Sequence, residues 1–127
     1  MKYGYIKQIE LSFDKAIVKV KEELLKEGFG VLTEINVKDT LKKKLDVDFG
    51  DYIILGACNP SFAYKALQEE IEIGLLLPCN VIVYDKESKV FVSGIMPTIA
   101  MSMVENKNMA DIAKEVEEKI KRVIDSL

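Results

Sequence analysis

Residues 79–95 read Cys79-Asn80-Val81-Ile82-Val83-Tyr84-Asp85-Lys86-Glu87-Ser88-Lys89-Val90-Phe91-Val92-Ser93-Gly94-Ile95. Val81 and Val83 fall on one face of an extended chain, and Ile82 and Tyr84 on the other. Four polar residues follow, Asp85 to Ser88, and a second apolar, β-branched run covers 90–95. Two such runs about one short polar turn predict a β-hairpin. Neighbouring strands joined this way are antiparallel, so the chain is not a simple alternation of strand and helix.

Upstream, residues 52–58 form a continuous apolar run, Tyr52-Ile53-Ile54-Leu55-Gly56-Ala57-Cys58. It predicts a central strand buried on both faces. Asn59 then offers an N-cap, and Pro60 fits the first helical position, where a missing N–H has no partner to lose. That helix is expected to run to about Glu70, with Ala63, Ala66 and Leu67 inward. Residues 71–77 are ambiguous between a helix end and a loop.

Closer to the N-terminus, residues 3–11 predict a first strand. Ser12 caps a helix whose Phe13, Ala16, Ile17, Val20 and Leu24 recur at helical spacing, and Gly28 ends it. Residues 29–37 predict a second strand with Phe29, Val31, Thr33 and Ile35 on one face. Residues 39–45 predict a helix of one or two turns. After the hairpin, 96–107 is irregular. Asn108 is expected to cap a last helix with the stripe Met109, Ile112, Ala113, Val116, Ile120, Val123, Ile124 and Leu127. The expected class is α+β, in the order β-α-β-(α)-β-α-β-β-α. Residues 1–127 make one domain, a mixed or antiparallel sheet with helices packed on one face.

Composition narrows the chemistry. The 127 residues contain no histidine, which excludes Ser-His-Asp and Cys-His nucleophile pairs, imidazole metal ligands and imidazole proton shuttles. Two cysteines cannot complete a four-cysteine zinc site within one chain. Net charge is −3 and Arg122 is the one arginine, a poor balance for nucleic acid. No apolar stretch approaches the ~20 residues of a membrane span. Residues 1–5 show no leader, so a reducing cytoplasmic location with free thiols is expected. Abundant Lys, Glu and Ile beside two Gln lean toward a thermophilic source. The segment 46–51 superficially follows a calcium loop, but Ala57 stands where the twelfth-position glutamate belongs.

The candidate site is the pair of steps Cys58-Asn59-Pro60 and Pro78-Cys79-Asn80. Cys58 ends a strand at a helix N-terminus, where unpaired amides can lower a thiol pKa or hold an anion. Cys79 begins a strand. Either cysteine alone is more simply a small buried apolar residue. Antiparallel strands would bring the two together. Their separation of 21 residues is not the C-x-x-C spacing of a redox motif. Met96, Met101 and Met103 around Pro97 can line a soft surface or simply fill a loop.

Gly56-Ala57-Cys58-Asn59-Pro60, then Ala66-Leu67, then Leu76-Leu77-Pro78-Cys79-Asn80-Val81 resembles the signature of domain-of-unknown-function family three hundred and two. The resemblance implies a small α+β domain similar to a half of the TATA-binding-protein fold, and a homodimer. No established activity travels with it, and it leaves any cofactor unknown.

Three functions stay open on the residues. The first is a binding module whose site combines Cys58, Asn59, Pro60, Pro78, Cys79 and Asn80. Its ligand would be a small molecule, anionic in one version, or a soft metal on Cys58 and Cys79. Copper(I) suits two thiolates, and zinc would need a dimer partner's ligands. The second is a structural or dimerisation domain with both cysteines in the core. The third is a thiol-dependent enzyme or redox sensor.

Overall fold

A computed structural model describes residues 2–127. Five strands, β1 (Gly4–Ile9), β2 (Gly30–Asn36), β3 (Tyr52–Cys58), β4 (Cys79–Lys86) and β5 (Lys89–Ile95), form one sheet. Its order is β1-β5-β4-β3-β2 and every pairing is antiparallel. The helices are α1 (Phe13–Lys26), α2 (Val37–Leu45), α3 (Pro60–Glu69), the short α4 (Pro97–Ala100) and α5 (Lys107–Asp125). A 3₁₀ helix, Ile71–Leu76, fills the ambiguous segment.

The hairpin register follows from its turn. Lys86 pairs with Lys89, leaving a two-residue loop of Glu87 and Ser88, both at positive φ. That conformation matches the strand twist. Opposed residues share a face, so Cys79, Val81 and Val83 lie with Val92 and Gly94, and with Ile53, Leu55 and Ala57. A Cβ on Gly94 would meet Ile120 of α5, which places that helix on this face. Here α1 and α5 bury Val20, Leu24, Ile120 and Ile124 against the strands. Fully burying each such side chain contributes about 1.5–3 kcal/mol.

The opposite face is open. It carries Ile6, Tyr52, Ile54, Ile82, Tyr84, Phe91 and Ile95, all half-buried or exposed. β3 is therefore central between β2 and β4, yet fully buried on one face only. The apolar run did not imply two covering layers, because the outer face is apolar without being covered. β2 departs from simple alternation. Val31 opposes Ala57 and Thr33 opposes Gly56, so a bulge at Leu32 moves Thr33 and Ile35 to the outer face.

Two helix starts show how local signals are used. The Ser12 side chain accepts from the Lys15 N–H, as expected. The last helix begins earlier than Asn108. Asn106 is its cap and accepts from the Met109 N–H at 3.0 Å. Asn106 Nδ2 also donates to Glu69 and Glu70 at 3.4 and 3.3 Å, while Asn108, within the first turn, donates to Glu69 at 3.2 Å. Gly28, with φ of 87°, turns the chain out of α1 in a conformation costly for other residues.

Candidate functional site

The two Cys-Asn steps meet at one end of the sheet. Ala57 opposes Cys79 in the β3–β4 register, so Cys58 and Cys79 are diagonal neighbours. Both thiols are free, Cys58 half-buried and Cys79 buried. The Leu77–Pro78 peptide is cis. Gly56 is required here: a Cβ would run into Thr33 Oγ1 and come within 2.8 Å of Pro78 Cγ.

A cavity of about 350 Å³ lies beside this junction. Cys58, Asn59, Pro78 and Cys79 are in its wall; Pro60 and Asn80 are not. Pro60 is exposed at the start of α3, and Asn80 is exposed on the outer face opposite Gly56. Much of the remaining wall comes from Phe62, Ala63, Ala66 and Leu67 of α3, from Ile112, Ala113 and Val116 of α5, and from Pro97 and Met101, with Phe29 and Leu32 before and within β2 and Gly74 and Leu77 near the 3₁₀ helix completing it. Apart from Met101, which the sequence offers as one of three residues able to line a soft surface, the sequence reads these residues as core, strand or loop. Their signal was alanine: Ala57, Ala63, Ala66 and Ala113 all line the space, where larger side chains would fill it.

The wall is held from outside. Glu117 of α5 is buried and accepts from the Thr98 N–H at 3.1 Å and from Thr98 Oγ1 at 2.6 Å. These bonds seat α4 on α5 and bring Pro97 and Met101 to the cavity. Of the three methionines around Pro97, Met101 lines the space, while Met103 is exposed.

The electrostatics are those of an apolar pocket. Burial pushes the Cys79 thiol up to about 11, with the charge of Cys58 adding to it. A thiolate at Cys79 is thus disfavoured at neutral pH. Asn59 caps α3 by position without a side-chain capping bond. Its Nδ2 donates to the Glu27 carbonyl oxygen at 3.1 Å, and Ser61 Oγ donates to its Oδ1 at 3.3 Å. One N–H and one oxygen lone pair of the amide are used in this way within the protein. Among the described residues no three Cys, Asp or Glu side chains cluster as a metal site. No helix among them is long and apolar enough to cross a membrane.

Known proteins locate the fold without adding a chemistry. No curated protein matches the chain. A solved structure, the crystal structure of an uncharacterized conserved protein DUF302 from Bacillus stearothermophilus, superposes with a TM-score of 0.92. It is 28% identical, over 98% of each chain. The family model described as domain of unknown function DUF302 matches residues 5–127. With nearly the whole length matched in sequence and fold, the chain belongs to the DUF302 family.

Proposed function

We propose that the protein is a binding module for a small apolar ligand, held in the cavity between α3, α5 and the ends of β3 and β4. One observation carries this reading: a space of about 350 Å³ with almost no polar atom facing it, built at the Cys58 and Cys79 motifs. Its size falls in the ~300–1,000 Å³ range of small-molecule sites. Protein cores close such spaces with larger side chains, since voids forfeit contacts. A free anion fits poorly inside, because almost no polar atom faces the space and no cationic side chain lines it. A soft-metal site would rest on two sulfurs, one of which resists ionisation.

Titration with a neutral apolar dye tests the reading. The wild-type protein should bind it saturably, and Ala66→Phe, which fills the space, should not while remaining folded. Failure of the wild type to bind, or equal binding by the variant, would overturn it. A double Cys→Ser variant that keeps dye binding separates this reading from the metal one. A reducing, cytoplasmic setting suits the two free thiols.

A second reading, compatible with the first, is self-association through the open sheet face. Tyr84 stacks on Tyr52 at 5.6 Å and on Phe91 at 5.4 Å, and Phe49 lies 6.1 Å from Tyr52. Ile6, Ile35, Ile54 and Ile82 extend this surface, with Lys86 and Lys89 only at the hairpin end. An exposed antiparallel face is normally polar. Five strands of this length span on the order of 500 Å² in projection. Side-chain relief and the Phe49 loop bring that toward the ~800 Å² per partner of a stable dimer. A second copy in isologous contact meets no like charge across the centre. Sedimentation should give a dimer that Ile82→Lys converts to monomer; a monomeric wild type would end this reading.

A further inference from the structure

We infer that the ligand of this cavity is an anionic amphiphile, its apolar body inside and its charged head on Lys65 and Lys119 at the rim. The inference rests on the cavity being a ligand site. Phe62, in the first turn of α3, connects interior and rim: its ring lines the cavity and is half-exposed. Two ammonium groups share that ring. Lys65 Nζ, from α3, lies 5.4 Å from its centroid, and Lys119 Nζ, from α5, lies 5.9 Å away. A cation over an aromatic face is held there by the ring quadrupole.

Neither charge is well neutralised. Among the described residues Lys65 makes no ion pair. Lys119 meets Glu27 only at 3.8 Å, and Arg122 holds that carboxylate more closely, at 3.0 Å. One cation without an ion pair and one loosely paired, over the same ring, stand out on a chain of net charge −3. The interior, by contrast, offers a charged head nothing. Asn59 is tied to Glu27 and Ser61, and the remaining polar wall side chains are the two thiols, none of them cationic. Burying an unpaired charge there is costly. A ligand that uses both regions therefore has an uncharged body and a terminal anion.

The probes are decanoate and 1-decanol, which share a chain and differ in the head, competing against the neutral dye. The variants are Lys65→Met and Lys119→Met, singly and together, which keep the aliphatic stems and remove the charge. The wild type should favour decanoate over decanol by roughly three- to tenfold at low salt, as two partly exposed ion pairs allow. Added salt should erode that preference. The double variant should bind both equally. Equal wild-type affinity for the two probes would overturn the anionic head and leave the cavity reading standing. A preference that survives the double variant would overturn the assignment to these lysines. Binding of neither probe would overturn the cavity reading and this inference with it.

Discussion

Asn59 Nδ2 donates to the carbonyl oxygen of Glu27 at 3.1 Å, across 32 positions of sequence. This bond ties the start of α3 to the end of α1, beside Gly28. A Cβ on Gly28 would lie 3.1 Å from the same Nδ2. Asn59, in the cavity wall, is thus also a structural tie between two helices. Asn59→Asp exchanges the donor for an acceptor facing a carbonyl oxygen. It should destabilise the fold by about 1–3 kcal/mol, read from the urea midpoint. Asn59→Ala should cost less, since it adds no repulsion. Equal midpoints for wild type and Asn59→Asp would show that the bond contributes nothing.

The hairpin turn offers a test in the opposite direction. Glu87 and Ser88 both adopt left-handed φ, 54° and 64°. Side-chain-bearing residues pay conformational strain there that glycine avoids. Ser88→Gly should raise stability by about 0.5–1 kcal/mol. Affinity for an apolar dye should not change, because the turn is at the far end of β4 from Cys79. A lower urea midpoint would mean that Ser88 makes a compensating interaction.

These two sites mark what can be read from sequence. The hairpin was legible because period-two alternation needs no neighbour to interpret it. The caps at Ser12 and Gly28 were legible for the same local reason. Asn106 and Asn108 are equally good caps in isolation; both donate to Glu69, and only Asn106 also reaches Glu70, a contact distant in sequence. The bulge at Leu32 depends on how β2 registers against β3, so alternation across it assigned Thr33 and Ile35 to the wrong face. The Cys-Asn steps did lead to the cavity. Yet Ala63, Ala66 and Ala113 read as ordinary helix core, because a missing side chain leaves no pattern.

Acid stability should report on one buried carboxylate. Glu23 accepts from Lys26 Nζ at 2.8 Å and Lys19 Nζ at 2.9 Å. The Lys26 bond first, then the Lys19 bond, holds its pKa down to about 2 from the ordinary 4.5. A depressed carboxylate contributes stability fully above its unfolded pKa, and loses it as pH falls through the folded value. The contribution should therefore fade between about pH 4.5 and 2. Arg122 lowers Glu27 in the same sense. Glu23→Gln should be less stable than wild type at neutral pH, with a shallower acid slope. Parallel urea midpoints for the two proteins from neutral pH to pH 2 would remove Glu23 from the account.

The thiols decide between binding and reactive roles for the motif pair. With Cys79 pushed up to about 11 by burial, its thiolate fraction at pH 8 is about one in a thousand. Burial also blocks reagent approach. Iodoacetamide should therefore label the native protein once, at the half-buried Cys58, and reach Cys79 only after unfolding. Intact mass resolves the two steps, and Cys58→Ser should abolish the native label while Cys79→Ser leaves it. Because Cys58 is in the cavity wall, decanol at saturating concentration should slow its labelling. Rapid native labelling of Cys79 would return the pair to thiol chemistry, since it would require an exposed, ionised sulfur that this wall does not provide. Labelling of Cys58 at the same rate with and without decanol would separate the cysteine from the ligand, leaving the motif as packing around the β3–β4 junction.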